Sequence, residues 1–401
     1  MSKRSHGDGG IDQRGENTFR LRYRIGKQRF AVTFHGTPAE AKKKHRELLK
    51  SGDDGQHVEP TRMTLGDWIE HWLTIGAPGR KKKRAGRRTL ERYAELLRGH
   101  VTPALGMKRL QQLHSTDVDR LYEGIEGKIA PRTQHHVHTV FGACLNAAVR
   151  KGLLSSNPID RSEKIPSPGE SDHGQVLDEE QLASVVQSFR DFTLYPIVAA
   201  AAFTGARRNE ILALRWSDLD SVAKTLRIER ALEETKGEPG KGPTRRLKEP
   251  KRANHRRTIQ IDDALIDLLL SERDKHLRLV AGVPDGATVD LSLVKLPPDA
   301  LMFPSFAGRE LDLTRLRDAH SVTQEFEKQA RKHFPGLRFH DLRGSHETML
   351  LDKGVPVHVV AARCGHDAAV LLRAYAKRTR KADTSAASII GEISKAALGT
   401  D

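Results

Sequence analysis

Four short segments in the second half of the chain carry residue types suited to chemistry. The first is Thr204-Gly205-Ala206-Arg207-Arg208-Asn209-Glu210. A glycine break is followed there by a helix, and Arg207 and Glu210, three residues apart, share one of its faces. In the second, Lys251 stands in Pro250-Lys251-Arg252-Ala253-Asn254-His255-Arg256-Arg257, where a hairpin turn should end before a strand. Lys248, three residues earlier, is the other lysine open to the same role. The third is His340-Asp341-Leu342-Arg343, again with an i, i+3 pair, and the fourth is Gly365-His366, followed nine residues later by Tyr375. Singly, each has a plain explanation: a surface ion pair, a solvated lysine, a histidine at a helix start, a core tyrosine. As a set, two arginines, two histidines, a lysine and a tyrosine have little reason to be placed by core packing. Planar guanidinium groups make bidentate bonds to phosphate oxygens, and two of them can cradle a phosphodiester whose transition state gains negative charge. A tyrosine hydroxyl can attack phosphorus and conserve the bond energy in a phosphotyrosine. The sequence has no carboxylate cluster for Mg²⁺ and no HExxH zinc motif. The chemistry expected is phosphoryl transfer with no metal and no cofactor.

The composition suits such a substrate. The chain has 401 residues and a formal net charge of +16, which calls for two or three domains and a polyanionic partner, nucleic acid first. Thirteen of the sixteen excess charges fall in the first 160 residues, so the second half is nearly neutral. The longest nearly unbroken apolar run, Tyr195 to Phe203, is far short of the ~20 residues that cross a bilayer, so no membrane partner is expected. The first residues lack the apolar stretch of a secretory signal. Two cysteines, Cys144 and Cys364, make neither a disulfide framework nor a zinc site, and a reducing cytoplasm is the compartment expected.

The elements that must position these residues can be read from periodicity. Residues 1–15 are Gly-rich and charged and are expected to be mobile. Strands are predicted over Thr18–Tyr23 and Arg29–Phe34, then a helix to about Lys50 with Thr37 as N-cap and Pro38 in its first turn. Helices follow after Thr64, from Thr89, near Thr116-Asp117, and from about Arg132 to Lys151. Asp160 to Gly174 reads as a linker. Beyond it, helices are expected from Asp178 and Pro196 and at about 262–280, 314–334, 342–353 and 356–363. Strands at Leu226–Ile228 and Arg257–Ile261 flank a polar stretch, Glu233 to His255.

The four segments together resemble those of the tyrosine recombinases, the integrases of temperate phages and mobile elements, over roughly residues 61–380. By position in those motifs, Arg207 resembles the first family arginine, Glu210 its acidic support, and Lys251 the hairpin lysine that protonates the leaving 5′ oxygen. His340 and Arg343 match the HxxR box, His366 the second His/Trp position, and Tyr375 the nucleophile. Gly344 stands where the family commonly has a basic residue after HxxR, with His346 two further on. Residues 15–50 resemble the three-stranded module with which some integrases read additional, arm-type DNA sites. The resemblance implies a multidomain α+β protein: an arm-type DNA-binding module (1–58, sheet plus helix, flexible first residues), an all-α core-type DNA-binding domain (61–160), a linker (161–174), and a mixed, mainly α catalytic domain with a small antiparallel sheet and a C-terminal tail (175–401). It further implies site-specific recombination of double-stranded DNA through a 3′-phosphotyrosine and a Holliday junction, a homotetramer, and an accessory bending or directionality factor in the nucleoid of a bacterial host. Ile389, Ile390, Ile393, Ala397 and Leu398 give the tail a helical stripe, which either docks on a neighbouring protomer or packs on its own domain. A type IB topoisomerase and a non-catalytic DNA-binding regulator with this fold are the rival readings.

Overall fold

The computed structural model describes residues 9–378, apart from 26–27, 54–57, 60, 80, 82, 170–173, 238–239, 241, 250–255, 285–286 and 307–310. Lys251 and the tail from Ala386 to Leu398 lie outside the described residues. The chain is a mixture of helices and small antiparallel sheets that separates into two compact units, residues 1–171 and 172–401. Among the described residues no helix is long and apolar enough to cross a membrane.

The first unit opens with strands β1 (Gly10–Gly15), β2 (Thr18–Ile25) and β3 (Gln28–His35), paired antiparallel in that order. Period-two alternation explains the sheet: Phe19, Leu21 and Tyr23 of β2 are buried while Arg20, Arg22 and Arg24 are exposed. Helix α1 (Pro38–Asp53) sets Ala41 and Leu48 against Phe19 and Leu21. Thr37 and Glu40 close its first turn with reciprocal bonds of 2.8–3.4 Å. The expectation of a mobile lead fails at Gly10–Gly15. Ile11 packs on the Phe19 cluster and Asp12 pairs with Arg22 at 2.8 Å, which draws this segment into the sheet.

A separate cluster holds the remaining helices of this unit: α2 (Leu65–Thr74), α3 (Arg87–Leu96), a π turn (Leu97–Val101) leading into α4 (Thr102–Leu105), α5 (Ser115–Ile125) and α6 (Pro131–Arg150). Trp68, Ile69, Phe141, Cys144 and Leu145 lie at its centre, and the Trp68 indole donates to the Cys144 carbonyl at 3.0 Å. Helix α3 begins two residues before Thr89, with Gly86 in the capping position. Arg87 and Arg88 both pair with Glu91, which favours adding that earlier turn.

In the second unit, α7 (Glu179–Gln187) is capped by Asp178, and α8 (Tyr195–Thr204) follows. Seven successive α8 residues, Pro196 to Ala202, are buried, as suits a helix apolar on every side. A short helix α9 (Arg208–Ile211) precedes β4 (Leu219–Asp220) and β5 (Thr225–Ile228). The polar stretch, expected to hold a hairpin turn, contains a hairpin of two strands, β6 (Ala231–Thr235) and β7 (Thr244–Lys248). Its cross-strand pairs Glu233–Arg246 and Glu234–Arg245 stand in for apolar contacts and hide the strands from a hydrophobicity pattern. Strand β8 (Arg257–Gln260) returns beside β5, giving the order β4-β5-β8.

Helices α10 (Asp263–Ala281), α11 (Ala319–Ala330), α12 (Phe339–Asp352), α13 (Val357–Cys364) and α14 (Ala368–Arg378) complete the unit. Helix α11 starts later than its periodicity suggests because Asp318 accepts bonds from the His320 and Ser321 amides and caps it there. Helix α12 starts three residues earlier than expected and so includes His340. In the core Phe189 stacks on Phe326 with ring centroids 5.2 Å apart, and Phe339 meets Phe326 edge to face at 5.3 Å. Trp68→Ala is expected to destabilise the first unit by about 3–5 kcal/mol through cavity formation and loss of the indole hydrogen bond. Urea unfolding of the whole chain, followed through the tryptophans, measures this.

Candidate active site

The site is built where α8 ends and α9 begins, against the first turns of α12 and the end of α13. Gly205 terminates α8 in the left-handed region at φ 64°, and a Cβ there would lie 2.6 Å from the His346 ring and 2.9 Å from the Cys364 sulfur. Glycine is required both for the backbone angle and for the close approach. The turn it makes sets Arg207 at the cap of α9. The Arg207 guanidinium donates to Glu210 Oε1 through Nη1 and to the Gly365 carbonyl through Nη2, both at 2.9 Å. Arg207 keeps a third of its side chain exposed, whereas Glu210 is buried.

Glu210 also receives Arg257 of β8, whose Nη2 lies 2.8 Å from Oε2. Burial would raise the Glu210 pKa, but the hydrogen bond and charge of Arg257, followed by those of Arg207, outweigh it and hold the carboxyl at about 2. Arg257 was not singled out from the sequence. It is buried on a strand that reads as ordinary, and its Nε donates to the Arg363 carbonyl at 2.7 Å.

Arg343 projects from α12 and is almost wholly buried. Its Nη1 donates to the Gly205 carbonyl and its Nη2 to the Cys364 carbonyl, each at 2.7 Å. Its Nε lies 3.2 Å from His366 Nε2 and 2.9 Å from Glu347 Oε1. A guanidinium has five N–H donors, and these contacts use Nε and one N–H on each terminal nitrogen. Burial lowers the Arg343 pKa, with Glu347 opposing, but an arginine remains charged. Gly365 closes α13 at φ 66°, and a Cβ there would press to 2.9 Å from Arg257 Nη1. The segment Cys364-Gly365-His366 therefore joins Arg207, Arg343 and Glu347 through two carbonyls and one ring.

His340 stands one turn before Arg343 and faces an opening of about 480 Å³ that Arg207, Asn209 and Arg338 also line. The protein packed around its ring, and then the charge of Arg343, lower its pKa, which leaves it neutral near pH 7 and able to accept a proton. His346 is buried instead: its Nδ1 donates to the Ala202 carbonyl at 2.9 Å, its Nε2 accepts from Arg363 at 3.1 Å, and burial lowers its pKa to about 4. It supports the end of α8 rather than facing the pocket. Burial raises the Cys364 thiol to about 11, so its side chain packs while its carbonyl binds Arg343.

The structure thus brings Arg207, Glu210, Arg343 and His366 together, with His340 at the opening. Tyr375 is held elsewhere: its hydroxyl donates to Asp352 Oδ1 at 2.8 Å. Asp352 closes α12 nine residues beyond Arg343, about 13 Å further along the helix axis. Lys248, the alternative to Lys251, sits in β7 and pairs with Glu233 at 2.5 Å. Glu347 was also missed, although His340, Arg343 and Glu347 at i, i+3 and i+7 mark one helix face. Among the described residues no group of His, Cys, Asp or Glu is arranged to hold a metal ion.

The model of the phage integrase family matches residues 175–381. An integrase of Streptomyces ambofaciens is 28% identical, with 98% of each chain covered. A XerC-like tyrosine recombinase of Caldanaerobacter subterraneus is 26% identical over 88% of this chain and 90% of its own. Among solved structures, the Tn1549 transposon integrase in complex with a circular intermediate DNA superposes with a TM-score of 0.62 at 16% identity, covering 82% of this chain and 98% of that one. A lambda integrase dimer bound to a COC′ core site gives 0.58 at 13% identity, covering 95% and 98%.

The Glu210 carboxyl yields the prediction here. Its folded pKa of about 2 lies below its ordinary 4.5. The stability it contributes is therefore fully present above about pH 4.5 and is lost as pH falls toward 2. Glu210→Gln should cost on the order of 3 kcal/mol at pH 7 and flatten the acid dependence of the second unit. Denaturant unfolding of the whole chain at pH 7 and pH 3 measures both effects, and an unchanged midpoint would refute the role given to Glu210.

Proposed function

We propose that this chain, which belongs to the phage integrase family and is a site-specific tyrosine recombinase, binds the scissile phosphate of DNA in the pocket formed by Arg207, Arg343 and His366. The observation that carries this assignment is the pair of arginines, each fixed by backbone carbonyls and each with donors left over. A phosphodiester seated there would receive bidentate contacts from two guanidinium planes, and those contacts strengthen as charge builds on the phosphorane-like transition state. Glu210 serves Arg207 as a fixed counter-charge. His340, neutral and at the opening, is suited to take the phenolic proton of Tyr375. Attack by the Tyr375 oxygen forms the O–P bond of a 3′-phosphotyrosine as the bond to the 5′ oxygen breaks. Lys251, assigned from its motif alone, donates the proton to that leaving oxygen. The 5′ hydroxyl of the partner strand then attacks the phosphotyrosine and restores the tyrosine, and two such rounds pass through a Holliday junction.

Tyr375 rests on Asp352, so its hydroxyl has to move to reach the pocket before it attacks.

For the rest of the chain, residues 1–58 are assigned to arm-type sites, 61–160 to core-type sites, and 175–401 to catalysis. The exposed Arg20, Arg22 and Arg24 of β2, with Arg29 of β3 beside Arg24, support the first assignment. A homotetramer on two DNA sites is the working assembly. The structure of a lambda integrase tetramer bound to a Holliday junction, matched at a TM-score of 0.51 and 14% identity, supports it. The site of action is the bacterial cytoplasm, at the nucleoid, with an accessory bending protein or directionality factor. The match to integrases along nearly the whole chain favours recombination over relaxation by a topoisomerase.

The test uses nicked duplexes that tile the DNA flanking this gene, so that a short 5′-hydroxyl fragment diffuses away and traps the cut state. The wild-type chain should form a covalent adduct that survives denaturing electrophoresis. Tyr375→Phe should bind the same DNA within about twofold and form no adduct, a loss of at least ~10³-fold. Adduct formation by the phenylalanine variant would remove Tyr375 from its role.

A further inference from the structure

The function proposed above leaves one arginine at the pocket unused. Arg208 follows Arg207 in the chain and lines the same opening of about 480 Å³, with Arg338, His340, Thr323 and Glu327. It is half-buried. Burial lowers its pKa, against the charges of Glu234, Asp318 and Glu327, but an arginine remains charged. Among the described residues Arg208 makes no ion pair, and Glu234 and Asp318 both pair with Arg245 instead. Its own hydrogen bonds go to neutral acceptors: Nε donates to Asn209 Oδ1 at 3.1 Å and Nη1 to the Thr323 hydroxyl. Both acceptors are anchored in turn. Asn209 Nδ2 donates to the Leu232 carbonyl at 2.8 Å, and the Thr323 hydroxyl donates to the Ala319 carbonyl at 3.3 Å. Among the described residues no acceptor meets Arg208 Nη2. A guanidinium has thus been drawn from water and fixed in place without a counter-ion, and such a charge is compensated only when an anion reaches it.

We propose that Arg208 binds the phosphate next to the scissile one on the cleaved strand, so that two neighbouring phosphates are held at once and the register of the strand is fixed. This rests on the phosphate-binding role given to the pocket. The groups that hold Arg208 are separate from those that hold Arg207 and Arg343, which are Glu210 and the carbonyls of Gly205, Cys364 and Gly365. The spacing also fits. Adjacent Cα atoms are about 3.8 Å apart, and successive phosphates of one strand advance about 3.4 Å along the duplex axis. A strand with one phosphate on Arg207 therefore carries the next within reach of Arg208. Among the charged residues that line the opening, three arginines stand against one carboxylate, Glu327, and of the three Arg338 is paired with Asp341 at 3.2 Å. Contacts to backbone phosphates position a protein on DNA without reading its bases. Two such contacts on neighbouring phosphates oppose a slip of the strand by one nucleotide past the reacting groups.

The experiment gives the whole chain nicked flanking duplexes in which the phosphates on either side of the scissile one are replaced singly by uncharged methylphosphonates, and measures the rate of adduct formation. For wild type, one of these replacements should slow cleavage about tenfold or more. Arg208→Met keeps much of the apolar stem and removes the guanidinium. It should cleave the unmodified duplex about tenfold more slowly. Its further loss at that one phosphate should shrink below about twofold, while its losses at the other positions match wild type. The same loss at that phosphate in both proteins would overturn the proposal. A variant whose losses shrink at every phosphate alike would also overturn it, since Arg208 would then be structural or a diffuse charge. Arg208→Lys decides the matter if the methionine variant does not fold. Lysine keeps the charge without the fork of the guanidinium, so its loss at that phosphate alone should fall below the wild-type value, and an unaltered loss there would refute the assignment. If wild type forms no adduct on any duplex, the phosphate-binding role of the pocket fails; if it does and neither variant changes the pattern, only the role of Arg208 fails.

Discussion

A buried guanidinium cannot shed its proton, so every arginine taken into the interior must be met by acceptors there. Arg343 and Arg257 are both taken in, and Arg207 is partly so. Their acceptors are the Glu210 carboxylate, the His366 ring and the carbonyls of Gly205, Arg363, Cys364 and Gly365, with Glu347 a counter-charge 2.9 Å from Arg343 Nε. The rest of the second unit can be understood as the means of bringing those acceptors to one place. Helix α8 has to stop where it does because the carbonyl of Gly205, at its end, is needed by Arg343. Helix α13 has to stop where it does because the carbonyls at its end serve both Arg343 and Arg207. At both stops the residue is glycine in the left-handed region, since a side chain would strike the ring or guanidinium packed against it.

The charge of the chain is uneven. The second unit is almost neutral, and the arginines it buries are met by Glu210, by Glu347 and by main-chain carbonyls. The first 160 residues carry the excess instead, and the sheet at their start shows how. The alternation that buries Phe19, Leu21 and Tyr23 necessarily turns three arginines outward on the other face. Diffuse charge of that kind holds a polyanion without discriminating its bases, whereas an aimed set can discriminate a transition state from a ground state.

Tyr375 stands on a separate element. It belongs to α14, and its hydroxyl rests on Asp352, at the far end of α12 from Arg343. Arg207 and Arg343 are each fixed by several bonds, whereas the tyrosine hydroxyl is held by a carboxylate at the end of a helix.

Much of this could be read from the sequence. Helical spacing placed Arg207 with Glu210 and His340 with Arg343, and the charge distribution separated a basic first part from a nearly neutral second part. Strand alternation located β2, β3, β5 and β8, while β6 and β7 escaped because their stabilising pairs are charged. The sequence by itself determined the residue types of the site and the neighbours that lie within one turn of each other, because side-chain identity and helical periodicity are local properties. Tertiary structure alone decided that Arg257 shares Glu210, that Glu347 reaches His366, that His346 faces the core, and that Tyr375 rests on Asp352. Most of the partners that hold the arginines are main-chain carbonyls, and a carbonyl is the same in every residue. No pattern of side chains announces which one will be left without a helical partner, so only the folded chain can show where a buried charge finds it.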